Sequence, residues 1–192
     1  ISEDTLIEHS KNFIANHLVW MESSSDHRKV FLPLGCSLPF AKGVHFKLGD
    51  ERFSLSDEVD TTLLSIKKLK RTAYSLMEAP YLWGGRTPLG IDCSGFVQLI
   101  YKTIGIPLKR DAKDQVFEGI PVNTLDNSTE GDLAFFINNK DRVHHVGLIL
   151  DNNQIMHACG KVRIDTIDEK GIFNNDKRSY THKLFSIKRI LV

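Results

Sequence analysis

In the stretch PLGIDCSGFVQLIYKTIG, residues 88–105, one cysteine stands between an aspartate and a Ser-Gly pair at the start of an apolar run. Steps of three and four from Cys93 give Phe96, Val97, Ile100, Tyr101 and Ile104, so the spacing predicts a helix over 92–104 with Cys93 turned inward. A cysteine on such a face is most often a buried core residue. The first turn argues for more, because unpaired N–H groups and the positive end of the helix dipole gather there. They favour thiolate and predict a pKa depressed from the reference of about 8.5. The same N–H groups are placed to donate to the oxyanion that forms when sulfur attacks a carbonyl.

A nucleophilic cysteine needs a base, and strand geometry narrows the field of eight histidines. HHVGLIL and QIMHACG flank DNN, a composition suited to a hairpin turn. A three-residue loop at 151–153 sets Leu150 opposite Gln154 and Gly147 opposite His157. His145 and His157 then share a face, with Cβ atoms roughly 7–8 Å apart. A two-residue loop would put them on opposite faces. His145 can take the thiol proton while His157 holds its other ring nitrogen, the place a carboxylate fills in a Ser-His-Asp triad. Strand alternation turns His144 the other way. It also breaks up a zinc site made from His144, His145, His157 and Cys159, so neither a metal nor another cofactor is expected.

The elements that must position these groups follow from a change of period. Over residues 30–55 the signals are short and strand-like: Val44, Phe46 and Leu48 alternate with polar residues, and Phe53 and Leu55 resume after Gly49-Asp50. A small β unit over 1–60 with a hairpin is predicted. From residue 60, DTTLLSIKKLKRTAYSLMEAP places Ile66, Leu69, Ala73, Leu76 and Met77 on one helical stripe, with Asp60 or Thr61 as its cap and Pro80 closing it. A domain boundary near 60 follows. After residue 130, GDLAFFI, HHVGLIL, QIMHACG, KVRIDTI and THKLFSIKRILV read as consecutive strands. Helices followed by strands give an α+β unit over 61–192, helices packed on an antiparallel sheet.

Composition excludes some partners. Lys+Arg 25 against Asp+Glu 24 lacks the basic excess of nucleic-acid binding, and no run of eighteen apolar residues offers a transmembrane segment. The opening ISEDTLIEHS lacks the basic and apolar regions of a signal peptide, but a chain that starts on Ile1 leaves the compartment open. Cys36, Cys93 and Cys159 are too few for a disulfide framework. The mixed charges of LKRDAKDQ read as a solvated face.

Taken together, YLWGGRTPLGIDCSGFVQLIYKTIGIPLKRDAKDQ, GDLAFFI, HHVGLIL and IMHACG resemble the NlpC-type cell-wall peptidases, a papain-like cysteine peptidase family, over residues 63–192. The resemblance implies Cys93 as nucleophile, His145 as base and His157 as the residue that orients it. It implies that Tyr81 helps line the oxyanion site. Asp92 and Ser94 resemble residues that bind the free amino terminus of the substrate peptide, beside their local uses as helix N-cap and first-turn residue. A carboxylate aimed at the sulfur would raise the thiol pKa, so Asp92 is better used turned away, toward an ammonium. Residues 30–60 resemble, over a short stretch, the bacterial SH3-like barrel that often precedes such peptidases.

The activity implied is hydrolysis of the γ-D-glutamyl–diamino acid amide in peptidoglycan stem peptides. The preferred substrate would be a tripeptide or tetrapeptide with a free N-terminal L-Ala, met at the cell envelope or in cytoplasmic recycling. A related Cys-His amidase or acyltransferase acting on another acyl bond, or a silent wall-binding module, are the alternatives.

Overall fold

A computed structural model of the chain describes residues 19–38, 43–57, 63–151 and 153–191. Near its start, β1 (Val19–Ser23), β2 (Lys29–Leu32), β3 (His45–Leu48) and β4 (Glu51–Leu55) form an antiparallel sheet in the order β2-β1-β4-β3. The predicted hairpin is β3–β4, with Phe46 opposite Phe53 and their rings stacked at 5.2 Å. Val19, Leu38, Phe46, Phe53 and Leu55 make its own small core. The segment after β2 leaves that core: Leu34 joins the main one, and a Cβ on Gly35 would lie 2.2 Å from Leu99 Cδ1.

Of the predicted stripe, Leu69 and Ala73 on α1 (Ile66–Ser75) and Leu76 at its C-cap are buried, while Ile66 and Met77 are partly buried against the same core. The N-cap of α1 is Ser65, whose side chain accepts from the Lys68 N–H. The expected caps Asp60 and Thr61 lie outside the described residues, and the helix ends five residues before Pro80, with Glu78 at φ 67. The second helix, α2 (Cys93–Lys102), begins as expected, with Asp92 as cap. Phe96, Val97, Ile100 and Tyr101 are fully buried, each apolar side chain stabilising the fold by roughly 1.5–3 kcal/mol. A short α3 (Ala112–Gln115) follows.

The strands after residue 119 are β7 (Ile120–Val122), β8 (Leu133–Ile137), β9 (Val143–Leu150), β10 (Gln154–Cys159), β11 (Lys161–Asp168), β12 (Gly171–Asn174) and β13 (Ser179–Arg189). All their pairings are antiparallel. The sheet runs β12-β11-β10-β9-β8-β13-β7, and β12 also pairs with β13, so β8 to β13 close into a barrel. The expected antiparallel sheet with helices packed on it is therefore present, with the addition that the sheet is closed rather than a flat layer. The physical reason is local: ladders β8–β9, β8–β13 and β12–β13 each carry a register shift, and such bulges bend and twist strands toward closure.

The two faces of the barrel strands separate cleanly. Ala134, Phe136, Ile149, Ile155, Ile167, Ile172 and Ile187 fill the interior. Leu133, Phe135, Val146, Leu148, Met156, Ala158 and Val162 face outward and join the core under the helices, where α2 packs on β9 and β10. Among the described residues, no helix is long and apolar enough to cross a membrane.

Candidate active site

The mouth of α2 is built by Asp92. Its Oδ1 accepts from Gly95 N at 2.6 Å and its Oδ2 from Gly84 N at 2.8 Å, tying the glycine-rich loop to the helix. That loop contains the two-residue ladder β5 (Arg86–Thr87) and β6 (Gly90–Ile91). The approach needs glycine, since a Cβ on Gly95 would stand 2.3 Å from Gly85 O. Asp92 does meet a cation, but the cation is Arg110. Nη1 lies 3.0 Å from Oδ1, Nη2 lies 2.6 Å from Oδ2, and Nη1 also reaches Ser94 Oγ at 2.9 Å. Burial alone would raise the Asp92 carboxyl; Arg110 and the N–H groups of Gly95 in the helix and Gly84 in the loop hold it below its usual range. The reading of LKRDAKDQ as a solvated face fails for Arg110.

Cys93 is 6% exposed and lines a cleft of about 730 Å³ together with Tyr81, Asp92, Ser94, Arg110 and His145. The expected depression of its pKa is not found. Burial pushes the thiol up to about 11; the N–H groups of Val146, Ser94 and Cys93 itself oppose the rise, and the Asp92 charge adds to it. The helix mouth is present, but desolvation outweighs it. Tyr81 is also raised, by burial first and then by Cys93 and Asp92, which keeps its phenol protonated as a donor.

Opposite the helix stands the β9–β10 ribbon. Leu150 pairs with Gln154 across the three-residue loop, as predicted, and Asn153 takes the positive φ of 55 that such a turn needs. His145 and His157 share a face, with His145 Nε2 2.8 Å from His157 Nδ1. His144 departs from the expected alternation. Phe136 pairs with His145 but Ile137 with Val143, so His144 is the extra residue of a bulge and lines the same cleft, its ring 6.3 Å from that of His145.

Two residues of this wall escaped the sequence reading. The first is Asp165, fully buried, whose Oδ2 lies 3.1 Å from His157 Nε2. It is held by Arg163 through two bonds of 2.8 Å, by Asn174 Nδ2 and by Asn175 N. Burial would raise its carboxyl, but His157, Arg163 and the Asn175 N–H hold it well below the usual carboxylate range. A signal existed: Gly160 alone joins β10 to β11, so Arg163 faces His157 and Asp165 is its diagonal neighbour. The second is His182, stacked on His145 at 4.1 Å and brought there by β13, whose ladder with β12 skips Thr181. Burial, then His157 and His144, pushes His182 down to about 4. His145 is pushed well below the usual imidazole range by burial and then by His182, His157 and His144.

The ionised carboxylate fixes the tautomers in series. Asp165 accepts from His157 Nε2–H, which leaves His157 Nδ1 bare to accept from His145 Nε2–H. His145 Nδ1 is then left without a hydrogen and able to take up a proton. Uptake of a proton there is supported, through His157, by a carboxylate one ring away.

A family model described as NlpC/P60 matches residues 78–180, and the chain belongs to that family. It is 38% identical over 105 residues to "Dipeptidyl-peptidase 6" of Lysinibacillus sphaericus, covering 52% of this chain and 36% of that protein. It is 41% identical over 90 residues to "Gamma-D-glutamyl-L-lysine dipeptidyl-peptidase" of Bacillus subtilis, covering 46% and 30%. The chain thus spans well under half the length of either relative. In fold it is similar to a crystal structure of an NlpC/P60 family protein from Bacillus cereus, with a TM-score of 0.77 and 22% identity over 100% of this chain and 67% of that one.

Proposed function

We propose that this protein is a cysteine endopeptidase that hydrolyses the γ-D-glutamyl–diamino acid amide of peptidoglycan stem peptides. The observation that carries the proposal is the line His145–His157–Asp165, which frees one imidazole nitrogen in the cleft lined by Cys93. The name of the Bacillus subtilis relative, a γ-D-glutamyl-L-lysine dipeptidyl-peptidase, supports the choice of bond.

In this reading Cys93 is the nucleophile, His145 the base and acid, and His157 and Asp165 the groups that orient it. Burial disfavours both the thiolate and the imidazolium, so the resting pair is neutral and the thiol proton moves to His145 Nδ1 as sulfur attacks. The Cys93 N–H at the helix mouth and the Tyr81 hydroxyl are the donors available to the oxyanion. His145 then returns the proton to the leaving amine, and water releases the acyl half by the reverse path.

A free amino end of the substrate, expected to meet Asp92 and Ser94, would have to displace Arg110 from both. Among the described residues Asp111 is the other carboxylate lining the cleft, is exposed, and has only Lys113 at 3.8 Å as an ion-pair partner; it is the better acceptor for an ammonium. We extend the proposal to a division of the chain near residue 60, with an SH3-like unit over 1–60 and the peptidase over 61–192. The separate small core of β1–β4 supports that division.

The test is release of L-Ala-γ-D-Glu from the tripeptide L-Ala-γ-D-Glu-L-Lys. Cys93→Ala should abolish release while thermal unfolding stays unchanged; full rate in that variant would sink the assignment.

A further inference from the structure

Beyond His145 the cleft does not end. His144 and His182 line it on one side and on the other line a second groove of about 850 Å³, which runs between the β8–β9 turn and the start of β13. Four cations face this groove: Lys140 and Arg142 from the turn, Lys170 ahead of β12, and Lys183 on β13. Among the described residues none of those lining it is a carboxylate. Among the described residues Lys140, Arg142 and Lys183 have no ion-pair partner, and Lys170 lies over the Tyr180 ring, near the Asp168 carboxylate outside the groove. The turn is rigid, because Asn138 Oδ1 accepts from Lys140 N at 2.9 Å and Arg142 N at 3.2 Å while Asn138 N donates to Arg142 O.

The direction of the reaction says what enters. His145 must deliver its proton to the leaving nitrogen, so the leaving half of the substrate lies on the His145 side, away from Asp92 and Arg110. Resting on the peptidase reading above, we propose that the groove is the binding site for the leaving half, and that Lys140, Arg142 and Lys183 recognise its carboxylate. Unpaired cations around a concave surface raise the local concentration of an anion and orient it, an effect screened by salt. The substrate class is thereby narrowed to stem peptides whose leaving half ends in a free carboxylate, on the diamino acid itself or one residue beyond it.

Two measurements separate this proposal from the reading beneath it. In the first, Cys93→Ala protein is titrated by NMR with the dipeptide L-Lys-D-Ala and with its C-terminal amide. The acid should bind about tenfold more tightly than the amide, with the preference falling as salt rises and disappearing in Lys140→Gln/Arg142→Gln/Lys183→Gln on the same background. Equal affinities, or a preference that survives the triple change, would overturn the groove. So would displacement of the dipeptide by an oligo(glycerol phosphate) that binds more tightly, which would assign the groove to a phosphodiester polymer. In the second, wild-type protein is offered L-Ala-γ-D-Glu-L-Lys-D-Ala as acid and amide. Cleavage of both at equal kcat/KM removes the groove and leaves the peptidase; dipeptide binding with no cleavage of either removes the peptidase and leaves the groove.

Discussion

The two walls of the cleft are held together in different ways. On the helix wall the bonds are short in sequence: Asp92 caps Gly95, reaches back to Gly84, and takes Arg110 from the next loop. On the barrel wall His145, His157, Asp165 and His182 come from four strands and meet only because ladders and bulges bring them together. The first wall is a set of independent local contacts, each able to fail alone. The second is a chain in which a fault at the buried carboxylate passes through two imidazoles to His145 Nδ1.

The largest effect that would test this contrast lies at the sulfur. If burial outweighs the helix mouth, alkylation of Cys93 by iodoacetamide in the free protein should climb tenfold per pH unit, about a thousandfold between pH 7 and 10. A rate already level at pH 7 would show the mouth winning.

Next comes Asp165→Asn, which leaves Arg163 and His157 without their buried anion and should destabilise the fold by about 3–5 kcal/mol in urea melts. The folded carboxyl lies below its unfolded value of about 3.9. Its contribution is therefore complete above that value and is lost as pH falls through the acid range, so the variant should show a flatter acid limb. In the same variant kcat should drop with KM little moved, since the tautomer series loses its anchor. An unchanged kcat would cut Asp165 out of the chain.

The smallest effect is expected at Arg110→Gln. Asp92 keeps its bonds to Gly84 and Gly95, so the helix cap survives and the cost should be about 1–3 kcal/mol. A loss as large as that of Asp165→Asn would erase the distinction between the walls.

What could be read from the sequence follows the same line. Cys93 at a helix start, Asp92 as its cap and the facing pair His145 and His157 were legible, because each rests on a periodicity or on one turn of known length. Barrel closure was not, since it depends on β12, four residues between turns, and on three bulges that no alternation pattern announces. The turn of His144 into the cleft and the arrival of His182 depend on those same bulges. The thiol differs: the dipole at a helix start can be read from sequence, whereas the degree of dehydration around one sulfur depends on everything packed above it.

The way the barrel shuts has a consequence for life at high concentration. With β12 joined to β13, the margin of this sheet left open among the described residues is β7, three residues long with Pro121 at its centre, which has no amide hydrogen to offer a second molecule. Neighbouring copies have little on which to start intermolecular strand addition, so crowding should not draw this part of the molecule into fibrils.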